Sequence, residues 1–277
     1  MYVYNILNQK GGRMRKLGCV VACIAVFCTM AMPAPRIEVG ASIGYGLGVG
    51  GQNSGFGGTA NTEQDLAGNY TKYDEIYASG GNGLKINVEG NCFFNDNLGV
   101  MLMSGISFLG GFDEKQVAPF GGVLITSETA ISTGYVPINI GLKLKTTMGK
   151  FTPYVYLAPG MYICFGSGTN KTTGQANTDI AISFNPGWGF TGGLGAMYAL
   201  NDKWGLKAEI TPTYAFANIT QMSATQGGNK TTYIYQNNTP TVPDPSGPAS
   251  DRKIYDHSQP KVPFSSVALN IGATFDF

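Results

Sequence analysis

Apolar and polar side chains alternate with a period of two residues along much of the chain. The alternation is clearest at the end, where one face carries Val267, Leu269, Ile271, Ala273, Phe275 and Phe277. The other face carries Ala268, Asn270, Gly272, Thr274 and Asp276. Because successive side chains of a β-strand point to opposite faces, this pattern predicts a strand with one apolar face.

Eight segments show the alternation, and they cover residues 36–49, 84–94, 99–110, 136–145, 151–165, 180–200, 204–216 and 267–277. In the sixth segment, Ile182 and Phe184 are assigned to the same apolar face as Trp188. Short turns rich in Asn, Asp and Gly are predicted at 95–97, 147–150 and 201–203. Polar connections at about 50–80, 111–128, 167–178 and 221–260 are predicted to be long loops.

Three prolines fall inside predicted strands, where each removes a hydrogen-bond donor from the ladder. They are Pro159, Pro186 and Pro212. Proline in a sheet is confined mostly to edges and bulges. These positions are therefore expected to mark bulges or an opening in the wall, unless the strand limits differ from those assigned.

The composition decides which face meets water. Charged residues make up 13% of the chain, against about 25% in a typical soluble domain. A soluble barrel would bury the apolar face, whereas a transmembrane barrel would turn it toward lipid. The second face is mostly Gly, Ser, Asn, Ala and Thr, which suit a crowded interior and would cover a soluble surface poorly. The transmembrane arrangement is favoured, and a net charge of +1 gives no sign of a nucleic-acid partner.

Aromatic residues of the apolar face lie near both ends of the strands, as in the two girdles of membrane barrels. Those beside the short turns or the C-terminus are Phe94, Phe151, Tyr198, Trp204, Phe275 and Phe277. Those toward the long connections are Tyr45, Phe108, Phe165, Phe184, Tyr214 and Phe216. An open sheet edge is costly in hydrocarbon. We therefore predict an all-β fold: an eight-stranded antiparallel up-and-down transmembrane β-barrel, closed by pairing of the last strand with the first, with short periplasmic turns and long extracellular loops.

The first 34 residues have the features of a secretory signal peptide. Arg13, Arg15 and Lys16 precede the apolar run "LGCVVACIAVFCTMAM", and small residues follow near Ala34. We predict a cleaved signal over 1–34, with Met14 as an alternative start, and a barrel domain over 35–277. An uncleaved membrane anchor is the alternative, although sixteen residues are few for a spanning helix.

Two cysteines remain after the predicted signal, Cys92 and Cys164. The period of two places Cys92 on the outward face and Cys164 on the inward face. Thiols on opposite faces cannot meet disulfide geometry, so both are expected to be unbridged.

Three segments resemble a known family: "TPYVYLAPGMY", "GGLGAMYALNDKWGLKAEI" and the terminal "IGATFDF". They are similar to the OmpA-like outer-membrane β-barrel family, which includes small barrels of the OmpX and OmpW kinds. The resemblance extends over about residues 36–277. It implies a Gram-negative outer-membrane location and insertion by the barrel-assembly machinery, which reads an aromatic C-terminal residue, here Phe277. The peptidoglycan-binding domain of some relatives is not expected.

Eight charged side chains are predicted to face the lumen. They are Glu38, Lys85, Glu89, Lys143, Lys145, Lys207, Glu209 and Asp276. Since buried charges must be paired or hydrated, we expect an ion-pair network that plugs the periplasmic half of a narrow lumen. Either this network gates a small conductance, or it only holds the interior together. No metal or cofactor is expected.

The expected role is structural or surface-interacting, with a largely plugged lumen and no catalysis. A channel for small solutes or hydrophobic molecules, as in OmpW-like barrels, is the alternative. A lipid-modifying enzyme is the third, but the only histidine, His257, has no separated nucleophile and base around it. The expected partners are outer-membrane lipid and lipopolysaccharide, the assembly machinery, and a host or environmental ligand at the extracellular loops. The barrel is expected to be a monomer.

Overall fold

A computed structural model describes residues 36–49, 60–75, 82–235, 251–256 and 261–277. These residues form fourteen strands: β1 (Arg36–Gly48), β2 (Ala60–Gln64), β3 (Tyr70–Glu75), β4 (Gly83–Phe93), β5 (Leu98–Phe120), β6 (Val123–Lys145), β7 (Phe151–Thr172), β8 (Thr178–Phe184), β9 (Gly187–Ala199), β10 (Trp204–Gln226), β11 (Asn229–Tyr235), β12 (Asp251–Asp256), β13 (Lys261–Pro263) and β14 (Ser266–Asp276). The part of the chain that the structure describes contains no helix whose length and hydropathy would let it span a bilayer.

The strand pairings return to their starting point. β1 pairs with β4, and antiparallel pairs follow from β4 through β5 and β6 to β7. β7 pairs with both β8 and β9, which both pair with β10. β10 pairs with β14, and β14 pairs with β1, so Ile43 lies opposite Ile271. The predicted pairing of the last strand with the first is confirmed.

The predicted count of eight strands differs from the fourteen found in the described residues. The wall has eight strand positions, but β8 and β9 share one of them, and β13 and β14 share another along β10. The strands β2, β3, β11 and β12 lie outside these eight positions. The difference arises because interrupted strands and added hairpins carry no distinct apolar signal.

Much of the chain predicted as long loops is paired strand. β5 and β6 each have 23 residues and meet at Gly121–Gly122, which have φ values of 59° and 80°. Two consecutive positive φ values suit a two-residue hairpin turn. β10 and β11 meet in the same way at Gly227–Gly228. Since about 9–11 tilted residues span a bilayer, about half of each long strand projects beyond the membrane. Neither face of these extensions is apolar throughout, so the alternation that marks the wall is absent and hydropathy alone predicts loops there.

The short turns occur where they are predicted. Asn95 accepts hydrogen bonds through Oδ1 from the backbone N–H groups of Asn97 and Leu98, at 2.9 and 2.8 Å. Asn201 repeats this arrangement with Lys203 and Trp204, at 3.0 and 2.8 Å. The side-chain amide therefore fixes the direction of the chain at both turns.

The outward face of the wall is apolar and exposed, and the inward face is small or polar and buried. Along β1 the exposed residues Val39, Ile43 and Leu47 alternate with buried or half-buried ones. The same holds along β14, where Leu269 is exposed and Asn270 is buried. The face assignments therefore agree with the alternation on nearly every wall strand.

A one-residue bulge reverses the faces within the sixth predicted segment. Phe165 of β7 pairs with Ser183, and Tyr162 pairs with Gly187. Between these two pairs, the two residues 163–164 of β7 oppose the three residues 184–186, which include Pro186. An extra residue moves every later side chain to the opposite face.

The prediction that Ile182 and Phe184 face lipid is wrong for this reason. Ile182 is buried in the interior. Phe184 is half-buried, and its ring contacts Phe264 edge to face, with centroids 5.6 Å apart. The outer aromatic girdle therefore lacks Phe184, whereas Trp188, beyond the bulge, is exposed as predicted.

Candidate functional site: the lumen

The periplasmic half of the lumen holds a continuous chain of ion pairs, here called the lower ion network. Its members are Glu38, Glu89, Lys143, Lys145, Lys207 and Glu209. Lys143 Nζ contacts Glu38 Oε1 at 3.1 Å and Glu89 Oε1 at 2.9 Å. Lys145 binds the other oxygen of Glu38 at 3.1 Å. All six side chains are buried, and their formal charges sum to zero.

The network continues across the barrel through Lys207. Its Nζ lies 3.0 Å from Glu89 Oε2 and 3.7 Å from Glu209 Oε1. Tyr154 completes the chain by donating its hydroxyl to Glu209 Oε2 at 2.9 Å. Alternate inward positions on β1, β4, β6 and β10 therefore supply one connected cluster.

Neutral side chains add further contacts to the network. Asn91 Nδ2 donates to Glu38 Oε1 at 3.0 Å and to Glu89 Oε1 at 3.3 Å. The Lys145 ammonium lies 3.6 Å from the centroid of the Phe93 ring, and Lys143 lies 4.5 Å from that of Tyr154. Cation–π contacts of this kind gain strength when they are desolvated.

Two of the eight predicted lumenal charges do not join this network. Asp276 pairs at the rim with Arg36, whose Nε and Nη2 donate to its two carboxylate oxygens at 3.2 and 2.8 Å. Lys85 lies above the network among hydroxyl groups. Glu89 joins the network through its contacts with Lys143 and Lys207.

A hydroxyl-rich layer lies above the lower ion network, and we call it the middle hydroxyl cluster. Its members are Lys85, Asn139, Tyr162, Thr191, Thr213 and Ser266. The hydroxyls of Tyr162 and Thr191 lie 2.7 Å apart, and Thr191 lies 3.4 Å from Thr213. All six residues are buried, and the cluster carries a single formal charge, on Lys85.

An apolar layer, called here the upper apolar cluster, fills the lumen toward the extracellular side. Its buried members are Leu109, Ile131, Tyr135, Tyr162, Cys164, Ile182, Ala215, Ala217, Ile219, Val262 and Phe264. Phe264 is fully buried, and its ring contacts Tyr135 with centroids 6.1 Å apart. The backbone N–H of Phe264 donates to the Ala215 carbonyl at 2.8 Å, which anchors the residue against β10.

Sequence reasoning did not find the upper apolar cluster, although β10 contains a signal for it. The inward positions of β10 are polar up to Thr213 and then become Ala215, Ala217 and Ile219. A change from polar to apolar on the inward parity marks the level at which the lumen becomes dry.

The strand ladder lapses briefly beside three of the prolines in the wall. Between β5 and β6 the pairs are missing at 105–106 and 136–137, which includes Pro137. Between β6 and β7 the pairs are missing at 140–141 and 158–159, which includes Pro159. Between β9 and β10 they are missing at 192–193 and 211–212, which includes Pro212. The register is the same on both sides of each gap. Pro186 differs, because it lies at the bulge between β8 and β9.

The remaining predicted positions are placed as follows. Phe277 is exposed, and its backbone N–H donates to the Ile37 carbonyl at 3.0 Å. Cys92 is half-buried, Cys164 is buried, and both are free thiols, as their opposite faces predict. His257 and the segment 1–34 lie outside the described residues, so the signal peptide stays a prediction. In the described part of the chain, no group of three His, Cys, Asp or Glu side chains has the arrangement of a metal site.

Comparison with known proteins identifies the family. The solved structures similar to this chain include OprG from Pseudomonas aeruginosa, with 12% identity, a TM-score of 0.45, and coverage of 89% of this chain and 97% of that one. AlkL has 14% identity and a TM-score of 0.41, and the match covers 90% of this chain and 94% of AlkL. Ail of Yersinia pestis has 13% identity and a TM-score of 0.33, and the match covers 87% of this chain and 98% of Ail. These TM-scores are below 0.5, so the three structures carry no argument about function.

The search of curated proteins finds no match. The sequence model of the outer membrane protein beta-barrel domain matches residues 19–239, which is more than half of the chain. The protein therefore belongs to the outer membrane protein beta-barrel domain family and is located in the outer membrane of a Gram-negative cell.

Proposed function

We propose that this protein is a non-enzymatic, surface-interacting barrel whose lumen is closed to ions and solutes. The observation that carries the proposal is the filling of the lumen by two different barriers. The lower ion network and the upper apolar cluster occupy successive levels of an eight-position wall. A barrel of this size is only just wide enough for its own side chains to fill it.

Each barrier opposes passage for its own physical reason. The carboxylates of the lower network contact ammonium groups at about 3 Å, and breaking such a buried pair costs about 3–5 kcal/mol. The upper cluster consists mainly of aliphatic and aromatic side chains, which cannot replace the water shell of a permeating ion. An ion would therefore have to displace both layers.

Planar-bilayer recordings test the closed lumen. We expect no steps above baseline for the wild type, for Lys143→Ala or for Phe264→Ala, because each variant keeps one barrier. The double variant is expected to conduct. Steps in the wild type, or a silent double variant that is correctly folded by heat-modifiable electrophoresis, would contradict the two-barrier proposal.

The projecting hairpins support the surface-interaction part of the proposal. At the tip of the β5–β6 hairpin, Phe120, Val123 and Leu124 are 76%, 63% and 43% exposed. The tip of the adjoining β2–β3 hairpin exposes Leu66 and Tyr70. β2 pairs in parallel with β5, which brings the two hairpins together. Clustered apolar side chains on a surface commonly mark a binding site.

The interaction surface is tested with the protein in lipid nanodiscs. We expect wild-type nanodiscs to bind a hydrocarbon-coated sensor more strongly than a triple variant with serine at 120, 123 and 124. Replacing Gln116 by serine on the shaft of the same hairpin is the matched control and is expected to bind like the wild type. Equal binding of wild type and triple variant would rule out the hairpin tip as the contact surface.

A second function, passage of small hydrophobic molecules through the wall, is favoured by the ladder gaps beside Pro159 and Pro212. Missing ladder bonds lower the cost of separating two strands locally. Cysteines at positions 142 and 157, which are both outward and paired directly beside the gap, would join β6 to β7 by a disulfide and leave Pro159 in place. If molecules pass there, oxidation is expected to stop uptake of an apolar dye into proteoliposomes and reduction to restore it. Equal dye uptake in the oxidised and reduced states would exclude this route.

A further inference from the structure

Lys85 differs from the other three buried lysines of the lumen. Lys143, Lys145 and Lys207 each contact a carboxylate at 2.9–3.1 Å. No carboxylate among the described residues lies within ion-pair distance of Lys85, although its exposure is only 2%. An isolated ammonium in such a place is costly, because its water shell has been removed and no opposite charge replaces it.

The groups around Lys85 are neutral. Its Nζ contacts Ser266 Oγ at 2.5 Å and Thr213 Oγ1 at 3.5 Å, and it lies 5.7 Å from the centroid of the Tyr135 ring. An ammonium has three N–H donors, and two hydroxyl contacts leave one donor without an acceptor. A hydroxyl both accepts and donates, so Ser266 has a proton for a further acceptor. Thr213 has one as well when Tyr162 donates to Thr191 and Thr191 donates to Thr213.

The neighbouring layers do not balance this charge. The lower ion network contains three carboxylates and three ammonium groups, so it is neutral by itself. The upper apolar cluster separates Lys85 from the extracellular side with aromatic and aliphatic side chains. The middle hydroxyl cluster therefore keeps a net charge of +1 in an enclosed layer.

We propose that Lys85, Ser266 and Thr213 bind one small monovalent anion of the halide class inside the lumen. Lys85 supplies the charge, and the two hydroxyls supply oriented O–H donors. The anion is a resident counter-ion that stabilises the folded barrel, and the site is independent of whether the lumen conducts.

The first test is thermal unfolding at constant ionic strength, followed by heat-modifiable electrophoresis. Sodium gluconate, whose anion is much larger than a halide, is replaced stepwise by sodium bromide. We expect the melting temperature of the wild type to rise with bromide. At a bromide concentration one hundred times the dissociation constant, the folding equilibrium constant is expected to rise about 100-fold.

Matched variants separate a specific site from a general salt effect. Lys85→Met is expected to lose the bromide dependence. Lys143→Met, which removes a paired lysine, is expected to be less stable in every salt and to keep the dependence. An equal response of wild type and Lys85→Met to bromide would overturn the proposal.

Anomalous scattering from crystals of the wild type grown in bromide gives a second measurement, which does not require a variant to fold. We expect a peak within hydrogen-bond distance of Lys85 Nζ. Absence of this peak, or density there for the carboxylate of a larger bound molecule, would overturn the halide assignment.

Discussion

Replacing Lys143 by methionine tests the lower ion network directly. Methionine keeps much of the side-chain stem and removes the ammonium that lies 3.1 Å from Glu38 Oε1 and 2.9 Å from Glu89 Oε1. Loss of one partner of a buried pair costs about 3–5 kcal/mol, because the other charge is left buried. Glu38 keeps Lys145 and Glu89 keeps Lys207. We therefore expect a loss at the lower end of this range, about 3 kcal/mol.

Arg36→Met is the matched control, because it breaks an ion pair of similar length with an exposed partner. The Arg36 Nη2–Asp276 Oδ2 distance is 2.8 Å, but the Arg36 side chain is 51% exposed. Exposed pairs contribute at most about 1 kcal/mol. Urea unfolding in lipid vesicles, followed by the fluorescence of Trp188 and Trp204, measures both free energies of unfolding. A loss for Lys143→Met no larger than that for Arg36→Met would refute the argument.

Three further predictions concern packing and orientation. Gly44→Val is expected to lower the free energy of unfolding by about 1–3 kcal/mol through overpacking, because the added Cβ would overlap the Asn270 side chain. Gly90→Val is the control: no atom lies within 4 Å of its added Cβ, so the same urea assay is expected to show little change. Phe264→Ala is expected to cost about 3–5 kcal/mol, since Phe264 is fully buried in the upper apolar cluster; a loss below 1 kcal/mol would show that the layer is loosely packed. A nitroxide at Leu269 is expected to be accessible to oxygen dissolved in the bilayer, and one at Asn270 is expected to be shielded. The reverse result would show that the apolar face of β14 points into the barrel.

The alternation of side chains predicted the wall well because the surroundings impose it. A strand that separates lipid from a narrow interior must place large apolar residues on one face and small or polar ones on the other. Val39, Ile43 and Leu269 follow this rule. The pairing of β14 with β1 was also predictable, since an unpaired edge in hydrocarbon is costly.

Alternation does not predict where the register changes. Ile182 and Phe184 continue the apolar pattern of Trp188 in sequence, but the bulge at Pro186 turns them inward. A proline in the sequence indicates that the ladder is disturbed, but it does not show whether the register shifts. Pro159 and Pro212 interrupt the pairing and leave the register unchanged. The hairpin extensions were missed for a different reason: backbone pairing holds them, and their two faces do not differ in polarity.

Face assignments alone also do not predict which charges meet. Lys85 and Glu89 lie on the same inward face of β4, but the level of each side chain depends on strand tilt and stagger. Glu89 is brought to Lys143 and Lys207, whereas Lys85 is brought to Ser266 and Thr213. Residue parity supplied the set of eight charges, and only the three-dimensional register divides it into a network, a rim pair and an isolated cation.

The distribution of charge in the lumen supports closure more strongly than the amount of charge does. A pathway that conducts ions by way of charged side chains needs those groups to be free to exchange partners with a permeating ion. In the lower ion network each ammonium already contacts a carboxylate within 3.1 Å, so no group is available without breaking a pair. Lys85, the one buried lysine among the described residues without a carboxylate partner, lies beneath the upper apolar cluster. An ion that entered from the extracellular side would therefore meet the upper apolar cluster before it reached Lys85 or the lower ion network, and nothing in that layer would replace its water shell.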